Sequence, residues 1–450
     1  MGEPLTLDQL RDRVECGAVD TVVVAMTDMQ GRLQGKRCSG RHFLDQVLGH
    51  GAEACSYLLA VDVEMDTVDG YALTSWESGY GDFVLRPDLS TLRMLPWREA
   101  TALVLCDVVW HSGAPVAPSP RQVLRGQLDR IAELGLTARV GTELEFLVFR
   151  DSYETCWDKG YRGLTPANQY NVDYSIGGTG RVEGLLRRIR NDMAGAGMCV
   201  ESAKGECNPG QHEIAIRYDE ALRSCDNHTV YKNGAKEIAA LEGVALSFMA
   251  KYDQREGNSG HLHVSLRDEQ DRPALAGADG DFSPLMEHFL AGQLACLPEL
   301  TCLFAPNINS YKRFARGSFA PTAVAWGRDN RTCALRVVGR GASLRVENRV
   351  PGGDVNPYLA VAAMLAAGMH GIRRELPLEP ELRGNAYEAG RTHVPGSLRA
   401  AAAALAESEV AVAAFGQEVV DHYLNAARIE VEAFESAVTD WERIRGFERL

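Results

Sequence analysis

Three segments of the chain alternate apolar and polar residues at a period of two. Such alternation predicts strands with one buried and one open face. In Gly141–Phe149, Leu144, Phe146 and Val148 share one face and Glu143 and Glu145 the other. In Gly257–Ser265 a small-residue loop runs into a strand that puts His261, His263 and Ser265 on one face. Leu344–Val350 places Arg345, Glu347 and Arg349 together in the same way. Further strands are expected at Thr21–Met26, Tyr57–Val63, Phe83–Leu85 and Ala102–Val108. A helix over Leu7–Val14 opens on a capping box, Thr6 with Gln9. The Gly/Pro-rich tract 113–120 reads as a linker. Ser119 as N-cap and Pro120 as first helical residue then start a helix through Leu134. The Ala-rich stretch 398–445 is expected to be helical, Leu398–Ser408 and then Val410–Ile444. Strands and helices mix without regular βα alternation, which predicts an α+β fold. The divisions expected are residues 1–112 and 113–450.

With 450 residues, 45% of them apolar, the chain can bury a large core. A net charge of −14 argues against nucleic-acid or anionic-membrane partners and suits cations or amines. The eleven cysteines form no CxxC pair, which fits reduced thiols in a cytoplasmic protein and predicts no structural zinc. No apolar run reaches membrane-spanning length, and no signal peptide is expected. The opening Met-Gly formally matches a myristoylation pattern, but Glu3 and Pro4 do not suit it.

The segment Glu206–Glu213 sharpens the chemistry. Pro209-Gly210 suits the central positions of a type II turn over Asn208–Gln211. That turn would set Cys207 opposite His212 and Glu206 opposite Glu213. Like charges directly opposite on paired strands are destabilising. Either a cation sits between them or the turn has another shape. Together with Glu143 and Glu145, the pair makes an oxygen-rich set suited to Mg²⁺ or Mn²⁺. Solvated glutamates on a half-exposed strand explain Glu143 and Glu145 equally well when that segment is taken alone. Arginine then concentrates at positions 313, 316, 328, 331, 336, 340, 345 and 349. Arginine grips phosphates and carboxylates bidentately; the bland alternative is a surface ion-pair ladder. Carboxylates for a divalent metal plus many arginines suit phosphoryl transfer, yet neither a P-loop nor a GxGxxG motif is present.

At this point the chain resembles the glutamine synthetase family. The resemblance rests on GTELEF (141–146), GECNPGQHEI (205–214), NSGHLHVS (258–265), NSYKRF (309–314), DNRTCALRV (329–337), LRVENR (344–349) and NPYLAVAAMLAAG (356–368). It implies an N-terminal β-grasp domain, a catalytic α+β domain, and a homo-oligomer, usually a dodecamer of two hexameric rings whose sites are shared between neighbours. It implies ATP as co-substrate and glutamate as acceptor, with an amine attacking a γ-glutamyl phosphate. Carried over by motif, Glu145, Glu206 and Glu213 would bind metal, as would Glu143, His261 and Glu347 on the nucleotide side. Glu145, Asn258, Arg313 and Arg349 would hold glutamate. Arg331 and Arg336 would meet the transferred phosphoryl group, and His263, Ser265 and Arg345 would bind ATP.

The departures from the family pattern concern the amine. The family's GYEAP-like flap reads Gly317-Ser318-Phe319-Ala320-Pro321, with Phe319 in place of the ammonium-binding glutamate. The family's DGSS tract reads Asp69-Gly70-Tyr71-Ala72: Asp69 is kept and both serines are gone. A phenyl ring makes a poor ammonium site and a better wall for an alkylamine, and its face attracts cations. With DMQGRLQGKR (28–37) and ESGYGDFVLRPDLSTLR (77–93), the pattern is most similar to actinobacterial enzymes that glutamylate amines, the γ-glutamylethanolamide and γ-glutamylpolyamine synthetases. The expectation is a ligase for a small amine, ethanolamine first. Asp69 of a neighbouring subunit would be the base, and Asp69, Tyr71 and Phe319 would form the amine pocket. A polyamine ligase would need an acidic exit, for which Asp62, Glu64, Asp66 and Glu77 are available. An ammonia-using synthetase and an inactive structural relative are the other readings; the latter conflicts with all six metal positions being filled. Tyr387 lies near a position adenylylated in some relatives, but its context does not match, so no such regulation is expected.

Overall fold

The structure is a computed structural model and describes residues 5–450. The myristoylation-like Met1–Pro4 pattern falls outside them. The first helix, Leu7–Glu15, opens as expected: Thr6 Oγ1 accepts from Gln9 N, and Gln9 Oε1 accepts from Thr6 N. It buries Leu10 and Val14.

Behind this helix lies a six-stranded sheet. Its main path runs Leu33–Ser39, Thr21–Thr27, Thr101–Val109, Asp82–Pro87, Ala52–Cys55. Thr21–Thr27 and Thr101–Val109 are central and parallel; their other neighbours are antiparallel. An opening hairpin, a crossover through residues 40–50, and a last strand returned to the middle make the β-grasp order. The expected strand at Tyr57–Val63 is not one. Ser56–Leu59 forms a 3₁₀ turn, and Val61 makes only an isolated bridge to Thr67. Leu59, Ala60 and Val61 are fully buried, so the segment fills the core without pairing. A short apolar run does not distinguish those two fates.

The 113–120 tract is no free linker. Val116 N donates to Val108 O at 3.0 Å, and Val116 is fully buried. Pro120–Ala132 follows as a helix; Pro120 is its first residue, but Ser119 makes no side-chain cap bond. Arg121, 2% exposed, ties the first sheet to the rest of the molecule by binding Asp88, Asp107 and Asp226.

The second sheet has nine strands. Its path runs Trp326–Arg328, Leu335–Val338, Arg345–Asn348, Gly260–Asp268, Leu136–Phe149, Gln211–Ile216, Val200–Gly205. Helices Ala221–Leu241, Pro284–Phe304 and Pro357–Arg374 are part of its surroundings. The last two cross at glycines. A Cβ on Gly292 would lie 2.2 Å from Ala367 O and 2.6 Å from Gly371 N, so only glycine permits that approach. The C-terminal region is helical but not continuous as expected. Leu398–Ala406 is followed by Glu409–Phe415, Gln417–Ser436 and Asp440–Gly446. Gly416, at φ +84°, breaks the second from the third, and a Thr439/Glu442 capping box opens the last. Among the described residues no helix is long and apolar enough to cross a membrane.

Candidate active site

One face of the second sheet carries the charged residues. On Leu136–Phe149 the alternation holds: Leu144, Phe146 and Val148 are buried, while Glu143 and Glu145 face a cleft of about 290 Å³. Registry then assembles the site. His261 pairs with Glu143, and Glu145 with Glu213. Arg336 pairs with Glu347, which in turn pairs with His263.

The 206–213 hairpin differs from expectation by two residues. Gln211 N donates to Asn208 O at 2.8 Å, and Gly210 takes φ +79°, as a type II turn requires. The strands, however, pair Gly205 with His212 and Lys204 with Glu213. Glu206 N bonds to Gln211 O, closing a four-residue loop. The residue opposite Glu213 is thus a lysine. A two-residue offset preserves the face, so Glu206 remains beside Glu213. Ligand oxygens of Glu145, Glu206 and Glu213 lie within 4.8 Å of one another.

The electrostatics show what this costs. Burial, with Glu145 next, raises Glu206 to about 7 despite Lys204. Burial, with Glu143 and Glu145, raises Glu213 to about 9. Lys204 contacts Glu206, lies 3.6 Å from Asp173 and sits 4.6 Å from the centre of the Tyr174 ring. Glu145 Oε2 accepts from Gln211 Nε2 at 3.0 Å and from Ser259 N at 2.8 Å. Three carboxyl groups share one pocket with a single lysine, and burial and mutual repulsion hold two of them toward the neutral form. A divalent cation fits that deficit.

A second cluster lies beside it. Ligand atoms of Glu143, His263 and Glu347 also fall within 4.8 Å. His261 Nδ1 is 3.3 Å from both Glu143 and Glu347, and its buried Nε2 has no partner. Burial opposes ionisation of Glu143, but hydrogen bonds with His261 and His263 leave it well below the usual carboxylate range. Burial likewise opposes ionisation of Glu347, and the charges of His261 and Arg349 outweigh it. These residues also fit a divalent cation, with both imidazoles at hand rather than His261 alone.

Arginines close the other side. Arg313, Arg331, Arg336 and Arg349 line the cleft, with Ser318, Phe319 and Ala320. Arg313 is almost fully buried and donates to Val350 O at 2.9 Å. Arg349 Nη1 binds Glu347 at 2.6 Å, and Arg336 Nη1 binds it at 3.0 Å. The ion-pair reading holds for others of the eight: Arg316 pairs with Glu388 and Arg328 with Asp281. Arg345 Nε meets His263 Nδ1 at 3.3 Å. Ser265 follows on the same strand but does not line the cleft.

Asn258, Asp69 and Tyr71 are not among the residues lining the cleft either. Asn258 is fully buried: its Nδ2 donates to Ser247 O and Met249 O, and its Oδ1 accepts from Gln211. Both of its amide N–H donors are thereby spent on backbone carbonyls. Asp69 is exposed elsewhere, its carbonyl held by Asn425 Nδ2 at 3.1 Å and Arg428 Nη2 at 3.3 Å. Tyr71 is buried against His422, ring centres 4.6 Å apart. Lys204, Gln211, Asp173 and Tyr174 line the site without having been singled out. Lys204 was open to detection, since it shares a strand face with Glu206 by the period-two rule. Asp62 and Glu64 gather near Glu430, whose carboxyl is raised by burial and by both of them; none of the three lines the cleft.

Comparison with known proteins decides the family. A profile described as "Glutamine synthetase, catalytic domain" matches residues 117–445. The chain belongs to the glutamine synthetase family. It is 65% identical to gamma-glutamylethanolamide synthetase GlnA4 of Streptomyces coelicolor, covering 99% of this chain and 96% of that one. It is 38% identical to a glutamate–isopropylamine ligase of a Pseudomonas species, over 97% of each. Among solved structures, "GmaS/ADP complex-Conformation 1" superposes with a TM-score of 0.86 at 25% identity, over 98% of this chain and 99% of that one. The glutamine synthetase family implies use of ATP and a divalent metal ion, and the two carboxylate clusters are where this chain's residues fit one.

Proposed function

We propose that this family member is an ATP-dependent ligase that joins the γ-carboxylate of glutamate to a small primary amine, with ethanolamine as the preferred amine. The observation that carries this reading is Phe319 in the wall of the cleft. It puts an apolar, cation-attracting ring where an ammonia-using site needs a carboxylate. The 65% relative named for γ-glutamylethanolamide synthesis and the 38% relative named for isopropylamine both act on amines with a carbon chain.

In this reading Arg313 and Arg349 hold the glutamate carboxylate. A γ-carboxylate oxygen attacks the γ-phosphorus of ATP, ADP leaves, and γ-glutamyl phosphate forms. Arg331 and Arg336 balance charge on the moving phosphoryl group, and Asp329 and Glu347 hold Arg336 in place. Glu145, Glu206 and Glu213, and separately Glu143, Glu347 and the two imidazoles, would hold Mg²⁺ or Mn²⁺, which when bound supplies electrostatic stabilisation of phosphate charge. His263, Ser265 and Arg345 line the nucleotide side. The amine nitrogen then attacks the γ-carbonyl carbon, phosphate leaves, and the surplus proton passes to Asp69 of a neighbouring copy. That last assignment needs a ring oligomer, taken as a dodecamer, because Asp69 stands away from the cleft of its own chain.

An amine panel with ATP and glutamate tests the reading. Ethanolamine is expected to give the highest kcat/KM, above isopropylamine, putrescine and ammonia. Turnover with ammonia far above all three amines would overturn it.

A further inference from the structure

A second cavity, of about 470 Å³, shares no lining residue with the cleft. Gln30 and Arg32 reach it from the turn between the first two strands, and Lys232 and Lys236 from the helix Ala221–Leu241. A volume of this size between two parts of a chain is typical of small-molecule sites. The rings of Phe149, Tyr153, Tyr161, Phe248 and Tyr252 line it. Phe149 and Tyr252 have ring centres 4.7 Å apart, and Phe248 is almost fully buried. Lys232 Nζ and Lys236 Nζ stand 5.8 and 6.0 Å from the centre of the Phe248 ring.

Charge in this cavity does not balance. Arg32 is committed: its Nε donates to Asp28 Oδ2 at 2.7 Å and its Nη1 to Val63 O at 2.6 Å. Asp354 also lines the cavity, with Oδ2 accepting from Asn307 and Ser310. Lys232 Nζ donates to Gly353 O at 2.6 Å, and neither lysine forms an ion pair among the described residues. That leaves two ammonium groups and one carboxylate. Water fills open hydrogen-bond positions but does not cancel the surplus charge. Burial, with the charge of Lys236 next, lowers Lys232 to about 7. Residues four apart on a helix are neighbours, with about 5–6 Å between Cβ atoms, so one anionic group can meet both side chains.

A hydrogen-bonded path joins the cavity to the cleft. Lys232 holds Gly353 O, and Gly353 N donates to Asn258 O at 3.0 Å. Asn258 Oδ1 accepts from Gln211 Nε2, which also donates to Glu145 Oε2 at 3.0 Å. The same loop packs on Arg313: a Cβ on Gly352 would lie 3.2 Å from Arg313 Cδ.

We infer that this cavity is a second binding site, for a small monocarboxylate with an aromatic or alkyl body, whose carboxylate pairs with Lys232 and Lys236 while the body lies against Phe248 and Tyr252. Its occupant draws Lys232 from Gly353 O, loosens the 352–354 loop and weakens glutamate binding in the cleft. This second effect rests on the reading of Arg313 as a glutamate-holding residue; the site itself does not.

Calorimetry on the full chain as it assembles, without ATP, glutamate or amine, tests the site. Phenylacetate is the probe, with acetate lacking the ring and benzyl alcohol lacking the charge. Phenylacetate is expected to bind saturably and about tenfold or more tighter than either control. Lys236→Gln, at an exposed position, is expected to weaken phenylacetate by about fivefold or more and to leave the glutamate KM without probe unchanged. In turnover assays, saturating phenylacetate is expected to raise the glutamate KM of wild type by about fivefold, and that of Lys236→Gln less at the same concentration. Equal phenylacetate affinity in wild type and Lys236→Gln, or acetate binding as tightly as phenylacetate, would overturn the site. So would the absence of saturable binding; if Lys236→Gln then also elutes as a smaller species on size exclusion, the two lysines belong to an interface between copies. A glutamate KM unmoved by saturating phenylacetate would overturn the link to the cleft. Absence of turnover with any amine would overturn the ligase reading and leave the calorimetric result standing.

Discussion

Phe319 sits in a left-handed backbone conformation in the wall of the cleft, with Arg349 reaching its carbonyl. In the proposed reading the side chain at that position meets the incoming nucleophile. A phenyl ring attracts a cation weakly through its face, and it excludes water from a carbon chain. A carboxylate there would bind ammonium by charge and leave the alkyl group without a partner. Phe319→Glu is therefore expected to raise kcat/KM for ammonia by about tenfold or more, roughly 1.4 kcal/mol of transition-state binding, and to lower it for ethanolamine. Steady-state rates with the two nucleophiles check this. Unchanged ammonia activity would reduce Phe319 to a packing residue. Lys204 makes the complementary point. It is the cation that the glutamate cluster already possesses, and one lysine does not balance Glu145, Glu206 and Glu213.

At the scale of the element, the 200–216 hairpin turns sequence into chemistry. Its turn type and its charged face were legible: Pro209-Gly210 called for φ above zero at Gly210, and alternation placed Glu206 and Glu213 on one side. Its register was not legible, because loop length is set by where the strands stop pairing, and Glu206 closes the loop instead of pairing with Glu213. The same logic explains another miss. Tyr57–Val63 is apolar enough for a strand but fills the core unpaired. The hairpin also fixes a pH response. In the metal-free protein Glu206 and Glu213 are raised to about 7 and about 9, chiefly by burial. Between the ordinary carboxylate range and about pH 9 the folded state then holds more protons than the unfolded chain, so these two groups make stability fall as pH rises through that window. Glu143 and Glu347 are lowered, so their contribution is lost only in acid, below that window. Thermal melts in chelator are expected to show Tm declining between pH 5 and 9, with the decline reduced in Glu213→Gln. Added Mg²⁺ or Mn²⁺ should flatten it, since metal binding displaces the same protons. Equal slopes for wild type and Glu213→Gln would sink this account.

At the scale of the whole molecule, the chain gathers most of a catalytic site on one sheet and leaves the proposed base elsewhere. Glu143, Glu145, Glu206 and Glu213 share one cleft with Arg313, Arg331, Arg336 and Arg349, whereas Asp69 lies on a surface loop braced by Asn425 and Arg428. The brace is a reason to look for a function there. Two side chains hold the Asp69 carbonyl, and a Cβ on Gly70 would sit 2.4 Å from Asn425 Oδ1, so the loop is presented in one shape while its carboxylate faces outward. A loop so held is suited to complete a site on a neighbouring copy. In a ring, each interface joins one surface of a subunit to a different surface of the next. Two inactive variants then complement each other. Arg336→Ala removes the phosphoryl-side arginine, and Asp69→Asn removes the base. Each homo-oligomer alone is expected to lose at least about a hundredfold in amide formation, the scale of general-base loss. Co-assembled at equal amounts, about one interface in four pairs an intact cleft with an intact Asp69, and activity should recover toward that fraction. Size-exclusion chromatography establishes that the mixed oligomers form. Mixed oligomers no more active than either parent would place Asp69 outside the reaction and leave the amine's proton to a group within the cleft itself.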